Sequence, residues 1–351
     1  MIPIIQARAL FTQALVAFYK DMPRATSFLQ SFFKAEEFGT KYLTIAVKRG
    51  TEKIAVDVLR GADGNRNTFS YGTEKGFLPP LYNEFFDATQ LDLYDRLFTA
   101  SGNIDEADLA AYIREIAEKL FALEEKIKRA IELQCAQVLL TGIVQLKNGD
   151  NIDYKRKATS LVDLSSTPWT SDSNNPLSHI AAGAEWIRKN GKVQGGNFDI
   201  IMGKSAKAAF SNNEFIEKTA NFRRIDNIDV GRPQRNAVGG VTHGQFSAGD
   251  YNFTLWTYPE FYQNSSNVMT PYLDEKKIII LPENTDFNLS FAAVPQLIVG
   301  ADGRAISSTK GAFVAYDHVD ERKSTHDFGL KSAPLAIPTA VDTIYTAQVV
   351  A

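Results

Sequence analysis

Residues 103–141 read NIDEADLAAYIREIAEKLFALEEKIKRAIELQCAQVLLT. Apolar residues recur at Leu109, Ile113, Ile116, Leu120, Leu123, Ile127, Ile131, Cys135 and Val138, always three or four positions apart. That spacing draws one unbroken stripe along a helix. Neither glycine nor proline interrupts it, and the other positions hold mostly Ala, Leu, Glu, Lys and Arg, all strong helix formers. Asp105, Glu106 and Asp108 crowd the start, where unpaired N–H groups and the positive end of the dipole favour acids. Gly142 stops the run. At ~1.5 Å per residue the predicted rod exceeds about 50 Å, well beyond the usual three turns. No second helix of matching length occurs elsewhere, so the stripe of this strut is expected to be covered by a sheet rather than by a partner helix.

Upstream, residues 6–20 form an amphipathic stretch expected to be helical, with Pro23 ending it. SFLQSFFK follows at residues 27–34 and clusters Phe28, Leu29, Phe32 and Phe33. So aromatic an arm has too little chain of its own to bury its rings. It must dock on a later domain or on another subunit. Residues 41–59 alternate as strands, 61–65 form a turn, and 65–86 are mixed and glycine-bearing. The pattern predicts a long β-hairpin excursion, which in isolation is marginal in water. A short helix is expected over residues 87–99.

After the strut, residues 143–158 read as a hairpin turning at Asn148-Gly149. Trp169 lies in a Ser/Thr/Asp-rich linker that marks a boundary at residues 165–176. An α/β unit is expected next. Its elements are a helix over 176–189 opened by Pro176 and stopped by Gly191, a buried strand at 198–203, short helices at 204–210 and 214–222, and strands at 251–258, 276–282 and 289–299. From Gly311 the chain alternates again, and its β-branched end is expected to be built into a sheet.

The chain of 351 residues has ordinary apolar and charged contents of 44% and 23%, enough for two or three cores. A net charge of −3 argues against a dedicated nucleic-acid binder. The single cysteine, Cys135, lies on the apolar stripe and reads as a core thiol. No signal peptide and no membrane-spanning run are evident, which suggests a protein made in a reducing cytoplasm. The histidines at 179, 243, 318 and 326 lack metal-ligand spacing, so no metal and no cofactor are expected. Neither a phosphate loop, a dinucleotide fingerprint nor a nucleophile elbow is present. The strut's carboxylates alternate with Lys and Arg as a charged face rather than an acid/base pair. Protruding apolar parts without a catalytic constellation point to self-assembly through heterologous contacts. The contact residues expected from this reading are Phe28, Leu29, Phe32 and Phe33 of the arm, Leu109, Ile113, Ile116, Leu120, Leu123 and Ile127 of the strut, and Trp169.

The ordered motifs resemble the lambda-type phage major capsid proteins. They are PRATSFLQSFFK at 23–34, AVDVLRGADGN at 55–65, LLTGIVQLKNGDNIDYKRKATSLVDLSSTPW at 139–169, TPWTSDSNNPLSHI at 167–180 and KSAPLAIP at 331–338. Each is weak alone; their order and spacing carry the resemblance over essentially the whole chain. It implies an α+β protein of the Hong Kong 97 phage-capsid fold. The implied parts are an N-arm (1–40), an extended loop (41–100), a peripheral domain with the spine helix and hairpin (101–175), an axial α/β domain (176–312), and C-terminal strands completing the peripheral domain (313–351). The implied function is that of a structural protein, not an enzyme. It would assemble as pentamers and hexamers into an icosahedral head around double-stranded DNA, which it contacts non-specifically. The partners implied are a scaffold and head protease during assembly, a portal at one vertex and, in some shells, a decoration protein, with no membrane. Because no long scaffold domain precedes the arm, the scaffold is expected to be a separate protein. The location implied is the virion, with assembly in the host bacterial cytoplasm. An encapsulin-like nanocompartment shares this fold and is the alternative, although the hairpin and C-terminal motifs favour the phage reading. An α/β enzyme using residues 176–312 is the alternative of a different class.

Overall fold

A 36-residue helix, α1 (Glu106–Thr141), forms the strut in the computed structural model of the chain. The structure describes residues 27–47, 73–89, 106–146, 151–221, 228–229, 234–236, 239–285, 287–300, 303–320 and 325–351. At ~1.5 Å per residue α1 is about 54 Å long. Its apolar stripe is covered by strands. Ile113, Ile116, Leu120, Ile127, Ile131, Cys135 and Val138 are all buried, while Leu123 is partly buried against the same core. The side chain of Leu109 falls outside the described residues.

Strand Phe33–Glu37 of the arm pairs in parallel with Phe287–Phe291, which pairs antiparallel with Pro334–Pro338. All five side chains of Pro334–Pro338 are buried, the pattern of a strand covered on both faces. Next to this sheet, Val314–Asp320, Thr325–Ser332 and Tyr82–Thr89 form a second three-stranded sheet. The short helix expected over residues 87–99 is corrected at its start, because residues 87–89 end the strand Tyr82–Thr89; residues 90–99 lie outside the described residues. The base of the loop is a hairpin of Leu43–Val47 with Thr73–Phe77. The rest of the excursion, residues 48–72, lies outside the described residues, as does the Asn148-Gly149 turn. The flanking strands Ile143–Gln145 and Asn151–Asp153 pair in register as a hairpin.

The α/β unit is built on an eight-stranded sheet. Its central order is Val241–Ala248, Tyr251–Thr257, Asn197–Met202, Lys277–Pro282, Tyr345–Gln348 and Leu161–Asp163. Three helices accompany it: α2 (Pro176–Gly191), α3 (Lys204–Asn212) and α4 (Glu214–Asn221). The Asn175 side chain caps α2 by accepting the Leu177 N–H, and Pro176 occupies the first turn. Gly191, expected beyond the helix, is its last residue; Lys192 takes the left-handed conformation that ends it, at φ 55°. The stretch 289–299 is broken at Ala292-Ala293 into two strands, Phe287–Phe291 and Val294–Gly300.

Two cores result. One wraps the strut and arm; the other lies between α2 and the eight-stranded sheet. The segment 313–351 contributes to both. Pro334–Pro338 lies by the strut, whereas Tyr345–Gln348 pairs with Lys277–Pro282 in the large sheet.

Candidate assembly surface

The arm is held by a latch on the strut. Glu132, on α1 and 1% exposed, accepts the backbone N–H of Leu29 at 2.8 Å and that of Gln30 at 3.0 Å. These N–H groups open the 3-10 turn Leu29–Phe32, and without Glu132 that of Leu29 would be buried without an acceptor. The Tyr258 hydroxyl donates to the same carboxylate. Burial raises the Glu132 pKa, and these hydrogen bonds pull it part of the way back. Burial, reinforced by the Glu132 charge, pushes the Tyr258 phenol up, so it remains a donor. Beside the carboxylate, the Phe28 ring packs 5.3 Å from Phe32 and 5.4 Å from both Trp256 and Tyr258. Gly240 supplies the floor of this pocket, where any Cβ would overlap the Phe28 ring.

The far end of the strut is capped by Arg156, since α1 has no basic residue in its last turn. The guanidinium donates to the Leu139 carbonyl at 2.8 Å, the Ser160 hydroxyl at 2.9 Å, the Ile344 carbonyl at 3.0 Å and the Thr346 hydroxyl at 2.8 Å. A positive charge here meets the negative end of the helix dipole. Burial lowers the Arg156 pKa to about 9, which still leaves it charged at neutral pH. Gly142, at φ 74°, makes the turn between the helix and this arginine.

Trp169 anchors the linker that leads into α2. Fully buried, it donates from Nε1 to His179 Nδ1 at 3.0 Å and packs 6.0 Å from Phe210. Asn213 Nδ2 donates to the Trp169 carbonyl at 3.0 Å. Accepting the Trp169 N–H requires neutral His179, in keeping with its lowered pKa through burial.

Most of the residues expected as contacts between copies are covered within the chain itself. Phe28, Leu29, Phe33, Trp169, Ile113, Ile116, Leu120 and Ile127 are buried within one chain, and Phe32 and Leu123 are partly buried against the same cores. They hold the arm, strut and linker together. The exposed apolar side chains are a different set, which sequence patterning did not single out. Tyr42, Leu78, Leu81 and Phe85, each half or more exposed, cluster along the base of the loop and the strand after it. Phe261, Val268 and Met269 are exposed on the hairpin of Phe261–Gln263 with Met269–Pro271. Their only sequence signal is an apolar residue beside proline or at a turn, as in Leu78-Pro79-Pro80-Leu81. Among the described residues, no group of three or more His, Cys, Asp or Glu could hold a metal ion, and no helix is long and apolar enough to cross a membrane.

An aromatic arm latched to a long strut, with an α/β unit on a large mixed sheet, gives the chain the Hong Kong 97 phage-capsid fold. The chain belongs to the family described as phage major capsid protein E, whose model matches residues 11–349. Its fold is similar to that of the putative capsid protein of a prophage from E. coli CFT073, with a TM-score of 0.62 at 15% identity over 97% of this chain and 99% of that one. It is also similar to a phage-related protein from Bordetella bronchiseptica RB50, with a TM-score of 0.53 at 11% identity over 95% of each chain. No curated protein matches the sequence.

Proposed function

We propose that this major capsid protein assembles with copies of itself, as pentamers and hexamers, into the icosahedral head of a tailed phage that encloses double-stranded DNA. The observation that carries the reading is the family match across residues 11–349, which spans arm, loop, strut and α/β domain together. Exposed apolar side chains at the loop base and on the 261–271 hairpin support it, because surface of this kind is normally covered by a partner. Two different patches on one chain suit heterologous contacts, which close into rings. In this reading residues 1–40 are the N-arm, 41–100 the extended loop, 101–175 the peripheral domain, completed by the strands of 313–351, and 176–312 the axial domain. The protein resides in the virion shell after assembly in the host bacterial cytoplasm. A scaffold and protease act during assembly, a portal occupies one vertex, and in some shells a decoration protein is a further partner. A net charge of −3 is compatible with non-specific contact with packaged DNA that is weak enough to release it.

Electron microscopy of the purified protein, expressed alone and with its neighbouring genes, tests this. Hollow icosahedral particles in either sample are expected, and particles only with the neighbours indicate a separate scaffold. Particles formed alone and loaded with an enzyme would identify a nanocompartment instead. Monomers in both samples would overturn the shell reading.

A further inference from the structure

Residues 165–175 link the strand Leu161–Asp163 to α2, and of these only Trp169 is buried. Its backbone N–H donates to the Val349 carbonyl at 2.9 Å, and its ring packs against Phe210. The linker thus hangs on one side chain. The indole has a single polar atom, Nε1, which donates and cannot accept. It donates to His179 Nδ1 at 3.0 Å, so that nitrogen must keep its lone pair and the imidazole its one proton on Nε2.

An imidazolium carries a proton on both nitrogens and has no lone pair. Flipping the ring only turns a C–H toward the indole. Protonating His179 therefore sets two N–H groups against each other and strands a buried donor. Asn213 is already engaged: its Oδ1 accepts the Phe215 N–H at 3.1 Å, and its Nδ2 faces the Trp169, Ser171 and Asn174 carbonyls. The charged groups on the elements around the start of α2 are Asp172 of the linker, Lys204 and Lys207 of α3, Glu214, Glu217 and Lys218 of α4, and Asp250 in the turn whose Gly249 meets Ala181. Asp172 accepts the Glu214 N–H at 3.3 Å, and Glu214 pairs with Lys218 at 2.7 Å. Burial lowers the His179 pKa, and the positive end of the α2 dipole acts in the same direction.

We propose that His179 is a pH-operated release: on taking up a proton it lets go of Trp169 and frees the linker of residues 165–175 from α2 in mildly acidic solution. The hold is complete above pH 6.5, the ordinary histidine value, and weakens as pH falls below it, because the released linker leaves a histidine that binds the proton more readily. The inference concerns one chain and stands independently of shell closure.

Two measurements on the full-length chain test it. The first is amide hydrogen exchange by mass spectrometry at pH 7.5 and 5.5, corrected for the intrinsic rate. Wild-type protection over residues 165–175 should fall about tenfold at the lower pH, the factor that a released histidine of ordinary pKa gives across that interval. Protection of the strut over residues 127–141 should hold. His179→Asn places a carboxamide oxygen near the Nδ1 position and does not titrate, so its linker should be equally protected at both pH values. His179→Leu, with no acceptor, should show the released rate at both. Equal wild-type protection at the two pH values, the same fall in the asparagine variant, a protected linker in the leucine variant, or a parallel loss in the strut would overturn the proposal. The second measurement needs no variant. In nitrogen-15 spectra of the wild type, His179 should carry its proton on Nε2 at pH 7.5, and exchange of the Trp169 indole N–H should rise as His179 titrates. A protonated His179 beside a still protected indole N–H would overturn it.

Discussion

The Glu132 carboxylate of the strut accepts the N–H of Leu29, 103 positions earlier in the chain, at 2.8 Å. Its second oxygen takes Gln30 N–H at 3.0 Å, so one buried acid fixes both the place and the direction of the arm. Replacing it with alanine strands one buried and one partly buried backbone donor and the Tyr258 hydroxyl. Glu132→Ala should therefore lower stability by about 2–4 kcal/mol. Glu132→Gln, which keeps one acceptor oxygen, should cost less. Urea unfolding of the three proteins checks the order, and amide exchange at Leu29 and Gln30 should accelerate most in the alanine variant.

The same carboxyl makes a pH prediction with a definite sign. Burial raises its native pKa above the ordinary value of 4.5. Between the two values the native state holds a proton that the unfolded state has released, so stability falls as pH rises. Its contribution is greatest below pH 4.5 and is lost as pH rises through the native pKa. Relative to wild type, Glu132→Gln should gain stability across that window and then level off. Unfolding midpoints measured from pH 4 upward for both proteins test this. A difference constant with pH would mean that the carboxyl titrates alike in both states.

At the opposite end of the strut, Arg156 satisfies the Leu139 and Ile344 carbonyls and two hydroxyls with one planar fork. Lysine keeps the charge but not the fork. Arg156→Lys should lose about 3 kcal/mol through carbonyls left without donors, although Thr346 Oγ1 still donates to Leu139 at 3.0 Å. The loss should appear as a lower denaturation midpoint and as faster amide exchange in Tyr345–Gln348, the strand that Arg156 ties to the helix.

How far the sequence discloses this arrangement depends on the residue. The strut is legible because its three-and-four spacing runs without interruption from Ile113 to Val138, and each of those positions except the partly buried Leu123 is fully covered. The arm's aromatic cluster is legible as surface in need of cover, but its partners Trp256 and Tyr258 lie more than two hundred residues away and leave no local trace. Tyr82–Thr89 is hidden for another reason. Its strut-facing positions include Tyr82, bonded to Gln134, and Glu84, paired with Lys126, so polar groups occupy both faces and the usual alternation disappears. Val241–Ala248 is obscured by a register shift between Thr242 and Gln245, where Gly244 takes φ 105°. The exposed patch at Tyr42, Leu78, Leu81 and Phe85 is invisible to patterning because exposure depends on what the fold brings near.

Gly240 lets the arm dock. A methyl group there would overlap the Phe28 ring and displace it from Trp256 and Tyr258. Gly240→Ala should destabilise the protein by about 1–3 kcal/mol, the range for overpacking. Phe28→Ala, which removes the opposing ring, should partly rescue it in the double variant. Unfolding of both single variants and the double variant gives the coupling, and simple additivity would place the two residues out of contact.

Leu120 tests whether the strut must be packed for a shell to form. It is 2% exposed and sits midway along the stripe. Leu120→Asp puts an unpaired carboxylate into that core, a change expected to cost about 4 kcal/mol or more. Glu118→Ala, two residues away on the exposed face, removes only a solvent-exposed ion pair with Arg114 and should behave as wild type. Under conditions where the wild type forms particles, Leu120→Asp should give none and the Glu118 variant should give a normal yield by electron microscopy. Normal particles from Leu120→Asp would show that the strut tolerates a charge on its buried face and that the sheet beneath it is not what holds it.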